Sequence, residues 1–310
     1  MTIDRFVFAN WVSNDAVAAF SAETQFGPPP TTIDALREHY NDFNERRLAE
    51  AFATFPVDVK DETLRGVPCH VVEPQGGTSD DRTLICLHGG AFMWGSGAGA
   101  LLEAVPVSAV TGMKVIAVDY RLAPEHLFPA AVDDVLSVYS FVRESTAASR
   151  IGIYGCSAGA SLTAQCIARM IVERVERPGA IAMLHSAGLE LEGDSTLTSR
   201  LFQATPSEAE PPTFETLPYF ASTNAQDSLA LPGNHPNLLR DFPPALLISG
   251  TRDFSASSVS VMHRRLLVAG VEAQFILFDG MWHAHHMFTT LPDSRETFSA
   301  IARFFDRKLG

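Results

Sequence analysis

The sequence predicts an α/β protein in which a mostly parallel sheet is covered by helices on both faces. From residue 83 onward, short apolar runs alternate with longer segments that have helical spacing. The apolar runs are hydrophobic at consecutive positions, which is typical of strands buried on both faces of a parallel sheet. The 310 residues, of which 46% are hydrophobic and 19% charged, suffice for one large domain with a sizeable core.

Eight strands are expected in this sheet. Two of them precede the alternating part and are predicted at residues 56–61 and 66–73. The other six are predicted at residues 83–87, 114–118, 150–154, 180–185, 245–249 and 273–278. The helices predicted in the alternating part are residues 96–110, 129–144, 157–173, 255–269 and 294–308. Strands that alternate with helices in this way pair in parallel.

Two segments fall outside the alternation. Residues 1–52 are expected to be helical, and residues 186–240 are rich in Ser, Thr, Pro and acidic residues but also contain Leu and aromatic side chains. An interval of this length between two strands indicates an insertion with its own short helices. We therefore predict an N-terminal helical cap segment (1–52), the first part of the core (53–185), a cap insertion (186–240) and the second part of the core (241–310).

Charge and cysteine content restrict the partners and the compartment. The formal net charge of −13 disfavours nucleic acid and anionic membrane surfaces. No apolar run approaches the roughly 18 residues of a membrane-spanning helix, and the N-terminus lacks the features of a signal peptide. The four cysteines form no C-x-x-C pair, and we expect buried thiols rather than disulfides. These observations favour a cytoplasmic protein without stable membrane insertion.

The pentapeptide Gly155-Cys156-Ser157-Ala158-Gly159 is the strongest chemical signal in the chain. It joins a predicted strand to a predicted helix. A Ser between two glycines at such a junction lies on a sharp, strained turn that exposes its hydroxyl group. We predict that Ser157 is a nucleophile; the alternative is an inert turn in a protein without catalysis.

A serine nucleophile needs a base and a group that orients the base, in the chain order Ser, Asp or Glu, His. Asp253 and His283 each lie just past the carboxyl end of a predicted strand, where sites form in open α/β sheets. Asp279 is an alternative for the orienting group, and His285 or His286 for the base. The three histidines could also be metal ligands. However, no carboxylate or Cys lies at ligand spacing, and we expect neither a metal nor an organic cofactor.

Donors for a developing oxyanion are expected from an earlier strand-to-helix loop and from the residue after the nucleophile. The run His88-Gly89-Gly90-Ala91 directly follows the third predicted strand. We predict that the N–H groups of Gly89, Gly90 and Ala158 form an oxyanion hole, with Ala91 as an alternative donor if its φ is negative. His88 is predicted to brace this loop rather than to act as a base.

The order of these motifs resembles that of a known family. The motifs are His88-Gly89-Gly90-Ala91-Phe92, Asp119-Tyr120-Arg121-Leu122-Ala123-Pro124-Glu125, Phe128-Pro129-Ala130-Ala131, Gly155-Cys156-Ser157-Ala158-Gly159, and the loops of Asp253 and His283. With them, the chain resembles the bacterial hormone-sensitive-lipase-like esterases, an α/β-hydrolase family, from about Phe55 to the C-terminus.

The resemblance implies an α/β-hydrolase fold with a helical cap. It also implies a serine carboxylesterase that hydrolyses small-molecule esters of short- to medium-chain acids through an acyl-enzyme, and a homodimer through the C-terminal edge strand. Two positions depart from the family's pattern: Ala91 stands where a third Gly is frequent, and Cys156 where Asp is usual. Hydrolysis of lactones, amides or carbamates stays open, as does a ligand-binding receptor without catalysis.

Overall fold

The computed structural model describes residues 8–23, 29–78, 80–199 and 213–310. The strands are β1 (Val57–Leu64), β2 (Val67–Pro74), β3 (Thr83–Leu87), β4 (Lys114–Val118), β5 (Ile151–Cys156), β6 (Ala180–Leu184), β7 (Ala245–Gly250) and β8 (Ala273–Phe278). They form one eight-stranded sheet in the order β1-β2-β4-β3-β5-β6-β7-β8. Strands β3 to β8 pair in parallel, whereas β2 is antiparallel to both β1 and β4. The predicted α/β class and the mostly parallel eight-stranded sheet are confirmed.

The helices lie between the strands as the alternation predicts. In the described ranges they are α1 (Asn14–Glu23), α2 (Ile33–Thr54), α3 (Ala98–Thr111), α4 (Ala130–Val142), α5 (Ala158–Glu173), α6 (Asp194–Thr198), α7 (Pro236–Leu239), α8 (Ala256–Val268) and α9 (Pro292–Lys308). Strand β5 extends to Cys156, beyond its predicted end at residue 154, and so leads directly into Ser157.

Each face of the sheet has its own hydrophobic core. On one face, α4, α5 and α8 contribute Val135, Leu162 and Val259. On the other face, α3 and α9 contribute Leu102 and Phe298. Strands β3, β5, β6 and β7 are buried along their whole length. This burial explains why their sequences are apolar at consecutive positions.

One arginine joins α2 to the loops that follow β3 and β4. The Arg37 guanidinium donates to both carboxylate oxygens of Glu125, at 2.8 and 2.7 Å. It also donates to the carbonyl oxygens of Met93 at 2.8 Å and Ala123 at 3.0 Å. A bidentate pair with further carbonyl acceptors fixes the direction of the side chain, so α2 is held against the loop that begins at Gly89.

The segment between β6 and β7 is described at residues 186–199 and 213–240, and residues 200–212 of the predicted insertion lie outside the described part. It contains the short helices α6 and α7. The division of the chain into two cap segments and two core parts stays a prediction, as does dimerisation through the edge strand β8. In the described ranges, no helix is both long enough and apolar enough to cross a membrane.

Candidate active site

Ser157 stands at a strained turn between β5 and α5. Its φ is 54° and its ψ is −119°, values that residues with a Cβ atom rarely adopt. Close packing surrounds the turn, because a Cβ atom on Gly159 would lie 1.8 Å from the carbonyl oxygen of Leu87 in β3. Gly159 is therefore required to be a glycine by the close contact between α5 and β3.

Two hydrogen bonds connect Ser157, His283 and Asp253. Ser157 Oγ and His283 Nε2 are 2.9 Å apart, and His283 Nδ1 lies 2.8 Å from Asp253 Oδ1. Because a carboxylate can only accept, Nδ1 carries the proton and Nε2 accepts from the serine hydroxyl. The ring of Phe254 stacks on that of His283, with centroids 4.2 Å apart. The structure thus brings together the three side chains that the sequence singled out.

The Asp253 carboxylate is fully buried and accepts hydrogen bonds on both oxygens. Oδ1 also accepts from the backbone N–H of Ser255 at 2.9 Å. Oδ2 accepts from Ser249 Oγ at 2.7 Å and lies 2.6 Å from His185 Nδ1. Burial opposes ionisation, but the two neighbouring imidazoles and their hydrogen bonds outweigh it and hold the pKa of Asp253 well below its ordinary value. The group is a carboxylate at neutral pH.

The alternative candidates for base and orienting group have other partners. Asp279 accepts from the indole N–H of Trp11 at 2.8 Å. His285 Nε2 lies 3.1 Å from Thr297 Oγ1. His286 is buried, with its ring parallel to that of another buried histidine. Among the described histidines, His283 is the one within hydrogen-bond distance of the serine.

The loop after β3 lies beside Ser157. The same cavity that contains Ser157 is lined by Gly90, Ala91 and Ala158. Among the described residues, no backbone carbonyl oxygen accepts a hydrogen bond from the N–H groups of these three. Ala91 has a φ of 51°, so it does not meet the condition of a negative φ under which it would be an alternative donor. Gly89 differs, because its N–H donates to a buried carboxyl oxygen at 2.7 Å. The prediction that Gly89 is an oxyanion donor is therefore not supported.

The acceptor of the Gly89 bond is Glu103 of α3. Its carboxyl group also accepts from the backbone N–H of Cys156, so it joins the loop after β3 to the turn at Ser157. Burial raises the pKa of Glu103 to about 8, against the opposing effect of these two N–H donors. The carboxyl group is therefore mostly protonated at neutral pH.

His88 braces the same loop. Its ring stacks on that of Tyr120 with centroids 4.2 Å apart, and its Nδ1–H donates to the carbonyl oxygen of Gly89 at 2.7 Å. The Tyr120 hydroxyl donates to the carbonyl oxygen of His88 at 2.7 Å. Burial lowers the pKa of His88, so the ring is neutral. These contacts agree with the predicted bracing role.

Two groups of side chains could hold a metal ion. All four cysteines are buried free thiols, and burial raises the pKa of Cys156 well above its ordinary value. In the described part of the chain, potential ligand atoms lie within 4.8 Å of one another in the sets Glu103, Cys156, His286 and His185, Asp253, His283. Neither set contains all three histidines of the 283–286 run. Both sets have donor atoms of the kinds that bind metal ions.

A cavity of about 460 Å³ contains Ser157 in its lining. Its walls come from α2, the loop after β3 and the segment between β6 and β7. The larger apolar side chains among them are Tyr40, Phe43, Trp94, Leu189, Phe214, Leu217, Phe220 and Leu231. A concave, mostly apolar site with a serine hydroxyl group in its wall fits a small organic substrate.

Two buried residues of this site, His185 and Glu103, were not singled out from the sequence. His185 ends the predicted strand 180–185, so it reaches the same sheet edge as Asp253 and His283. Glu103 is the one charged residue in α3, which is otherwise mainly apolar. A lone carboxyl group in such a helix indicates a specific buried partner, because charged side chains are rarely buried unpaired.

Comparison with known proteins agrees with the site geometry described above. A family model for the alpha/beta hydrolase fold matches residues 84–287. An acetyl-hydrolase of Streptomyces hygroscopicus is 27% identical over 267 residues, which cover 85% of this chain and 88% of that protein. An esterase of Acinetobacter venetianus is also 27% identical over 267 residues, which cover 83% of this chain and 85% of that protein.

Solved structures give the same result. The crystal structure of esterase E25 has a TM-score of 0.84 and 26% identity, and the match covers 97% of this chain and 96% of that one. The crystal structure of an esterase from the bacterial hormone-sensitive lipase family has a TM-score of 0.81 and 25% identity, with 96% and 98% of the two chains covered. The chain therefore belongs to the alpha/beta hydrolase fold family, among the bacterial hormone-sensitive-lipase-like esterases, and is a carboxylic ester hydrolase.

Glu103 is expected to make the stability of the protein depend on pH. Its pKa is about 8 in the folded protein and has an ordinary value of 4.5, so the folded state binds this proton more tightly. Stability is then full below about pH 4.5 and is lost as pH rises towards and through 8. Glu103→Gln cannot ionise, so the melting temperature of the parent should fall relative to that of Glu103→Gln between pH 5 and pH 9.

The matched control for this prediction is Glu296→Gln, the same chemical change at an exposed position of α9. Its melting temperature should follow that of the parent at every pH. A difference between Glu103→Gln and the parent that stays constant from pH 5 to pH 9 would contradict the buried, proton-binding carboxyl group.

Proposed function

We propose that this chain hydrolyses small carboxylic esters by a serine mechanism, with Ser157 as nucleophile, His283 as base and Asp253 as the group that orients the base. The observation that carries the proposal is the hydrogen-bonded series from Ser157 Oγ through His283 to Asp253 in the wall of an apolar cavity. The relative named acetyl-hydrolase supports a short acyl group, and the relative named esterase supports ester hydrolysis.

In the proposed reaction, Ser157 Oγ attacks the carbonyl carbon of the ester while His283 Nε2 accepts the serine proton. Asp253 keeps the other proton on Nδ1 and stabilises the imidazolium that forms. His283 then gives its proton to the departing alcohol, and the acyl group stays on Ser157. Water attacks this acyl-enzyme with His283 again as base, and the carboxylic acid leaves.

The oxyanion of each tetrahedral intermediate is proposed to accept hydrogen bonds from the N–H groups of Gly90 and Ala158. Ala158 is the first residue of α5, so the positive end of the helix dipole adds to its effect. The bond from Gly89 N–H to Glu103 supports a loop-holding role for Gly89 instead. Donors that are oriented before the reaction lower its barrier because they need no reorganisation.

The predicted cap and the limited acyl length are supported by the cavity walls. Side chains from residues 1–52 and 186–240 border the cavity together with Ser157. A volume of about 460 Å³ lies in the lower part of the range of small-molecule sites, which is roughly 300–1,000 Å³. We therefore propose short- to medium-chain esters as substrates.

Ser157→Ala is expected to lower kcat for a p-nitrophenyl ester by about 10⁴- to 10⁶-fold, because it removes the nucleophile. Its circular dichroism spectrum and melting temperature should remain close to those of the parent. A fluorophosphonate should modify Ser157 of the parent, as located by peptide mass spectrometry. Ser161→Ala, in the same cavity, is the control and should keep most activity. Modification at another residue, or Ser157→Ala activity within tenfold of the parent, would contradict the assignment.

His283→Ala is expected to lose about as much activity as Ser157→Ala, since residues that act as a unit give non-additive losses. His285→Ala and His286→Ala should keep most of their turnover even if burial of these rings makes the variants less thermostable. Excess EDTA should leave the rate unchanged. Loss of activity with EDTA that added zinc restores would show that one of the two ligand sets holds a catalytic metal.

The acyl-chain dependence is expected to have a maximum. Each added CH₂ contributes about 0.8 kcal/mol of burial, or roughly a fourfold rise in kcat/KM, until the cavity is full. On a p-nitrophenyl ester panel from C2 to C16, kcat/KM should rise towards butyrate or hexanoate and fall steeply by C10 to C12. Emulsions should cause no interfacial activation.

Leu217→Ala tests whether the cavity sets this limit. Leu217 lines the cavity, so its truncation should move the maximum to longer acyl chains. Leu197→Ala is the matched control, because Leu197 belongs to the same segment and is 67% exposed. A maximum on long-chain triglyceride emulsions, or equal shifts in both variants, would show that the enclosed cavity does not determine acyl length.

A further inference from the structure

We propose that His185 is a positioning residue for this reaction: it donates a second imidazole hydrogen bond to Asp253 and thereby sets the pH range in which His283 is a free base. The inference rests on the roles proposed above for Ser157, His283 and Asp253.

The geometry places Asp253 between two imidazoles. His185 directly follows β6 and is fully buried. Its Nδ1 lies 2.6 Å from Asp253 Oδ2, whereas His283 Nδ1 lies 2.8 Å from Oδ1. Both nitrogens carry a proton, because the carboxylate can only accept. Each oxygen of Asp253 thus receives one imidazole N–H.

The described surroundings of His185 give its ring one polar contact, which is made by Nδ1. The titratable groups that face it are Asp253 from the loop after β7, and His283, His285 and His286 from the loop after β8. Burial lowers the pKa of His185, and lowers those of His285 and His286 well below the ordinary value. These three rings are therefore neutral near pH 7. His185 Nε2 is buried and has no hydrogen-bond partner among the described residues, so Nδ1–H is the group through which the ring acts.

The donors on Asp253 determine how strongly its charge attracts a proton on His283. Each hydrogen bond to Oδ2 disperses the negative charge of the carboxylate. Without the His185 donor, that charge is more concentrated and the imidazolium form of His283 is more stable. The neutral form of His283, which accepts the serine proton, is then reached only at higher pH. Ser249 donates to the same oxygen at 2.7 Å, so Oδ2 keeps one partner and the effect is graded.

The test compares kcat/KM against pH with p-nitrophenyl butyrate in the parent and in variants of His185. His185→Leu removes the donor and keeps a bulky side chain. His185→Gly removes it and readily adopts the φ of 58° found here. His185→Asn keeps an N–H donor near the position of Nδ1, and Asn tolerates this φ. Ser249→Ala removes the other side-chain donor on the same oxygen.

The acidic limb of the profile should move to higher pH by roughly half a unit in His185→Leu, His185→Gly and Ser249→Ala, as expected for the loss of about one ordinary hydrogen bond. The limb of His185→Asn should stay close to that of the parent. In the two donor-free variants of His185, kcat should fall by roughly tenfold with little change in KM, because Asp253 is less firmly held.

Fluorophosphonate labelling separates this inference from the proposed function. If Ser157 is labelled in every variant but the acidic limb does not move in His185→Leu and His185→Gly, the inference is wrong and the proposed function stands. If the parent is not labelled at Ser157, the proposed function itself fails. Should circular dichroism show that both donor-free variants of His185 are unfolded, Ser249→Ala decides, and an unmoved limb there also overturns the inference.

Discussion

Asp253 carries a negative charge in a part of the protein that water does not reach, and much of the site follows from that constraint. An unpaired buried carboxylate costs several kcal/mol or more, so the fold must surround it with donors. The side-chain donors are His185 after β6, Ser249 at the end of β7 and His283 after β8. The carboxyl ends of adjacent parallel strands meet at one edge. The sheet order β6-β7-β8 therefore brings all three within reach of one carboxylate.

A second constraint acts on the other side of Ser157, where three backbone segments pack with little space between them. The loop after β3 is held to the turn at Ser157 through Glu103, which accepts from both. A Cβ atom on Gly90 would lie 2.0 Å from the carbonyl oxygen of Trp94, so the loop can fold back on itself only with glycine at this position. The N–H groups of this loop are thus fixed by contacts made before any substrate arrives.

The sequence predicts the sheet and the three side chains of the candidate site because both depend on local patterns. Continuous apolar runs mark the buried strands, and Ser157, Asp253 and His283 each directly follow such a run or lie in the loop after it. The role of Gly89 depends instead on Glu103, which is 14 residues away along the chain, and no pattern within the glycine loop reveals it. The positive φ of Ala91 is likewise not indicated by any pattern in the sequence. The stacking of Tyr40 on Trp94 joins two segments whose sequences carry no sign of each other, so the cavity walls could not be predicted in detail.

Several titratable side chains that are buried around Ser157 are neutral. Burial keeps His88, His185 and His286 uncharged and holds the proton on Glu103 at neutral pH. Asp253, in contrast, is a buried charge and lies in hydrogen-bond contact with His283. In the proposed reaction, proton transfer to His283 creates an imidazolium next to this charge and an oxyanion next to backbone N–H groups. Because Asp253 is fully buried, the attraction between its charge and the imidazolium is less screened than it would be in solution. Because the buried histidines and Glu103 are neutral, they add no competing charge to those that the proposed reaction creates.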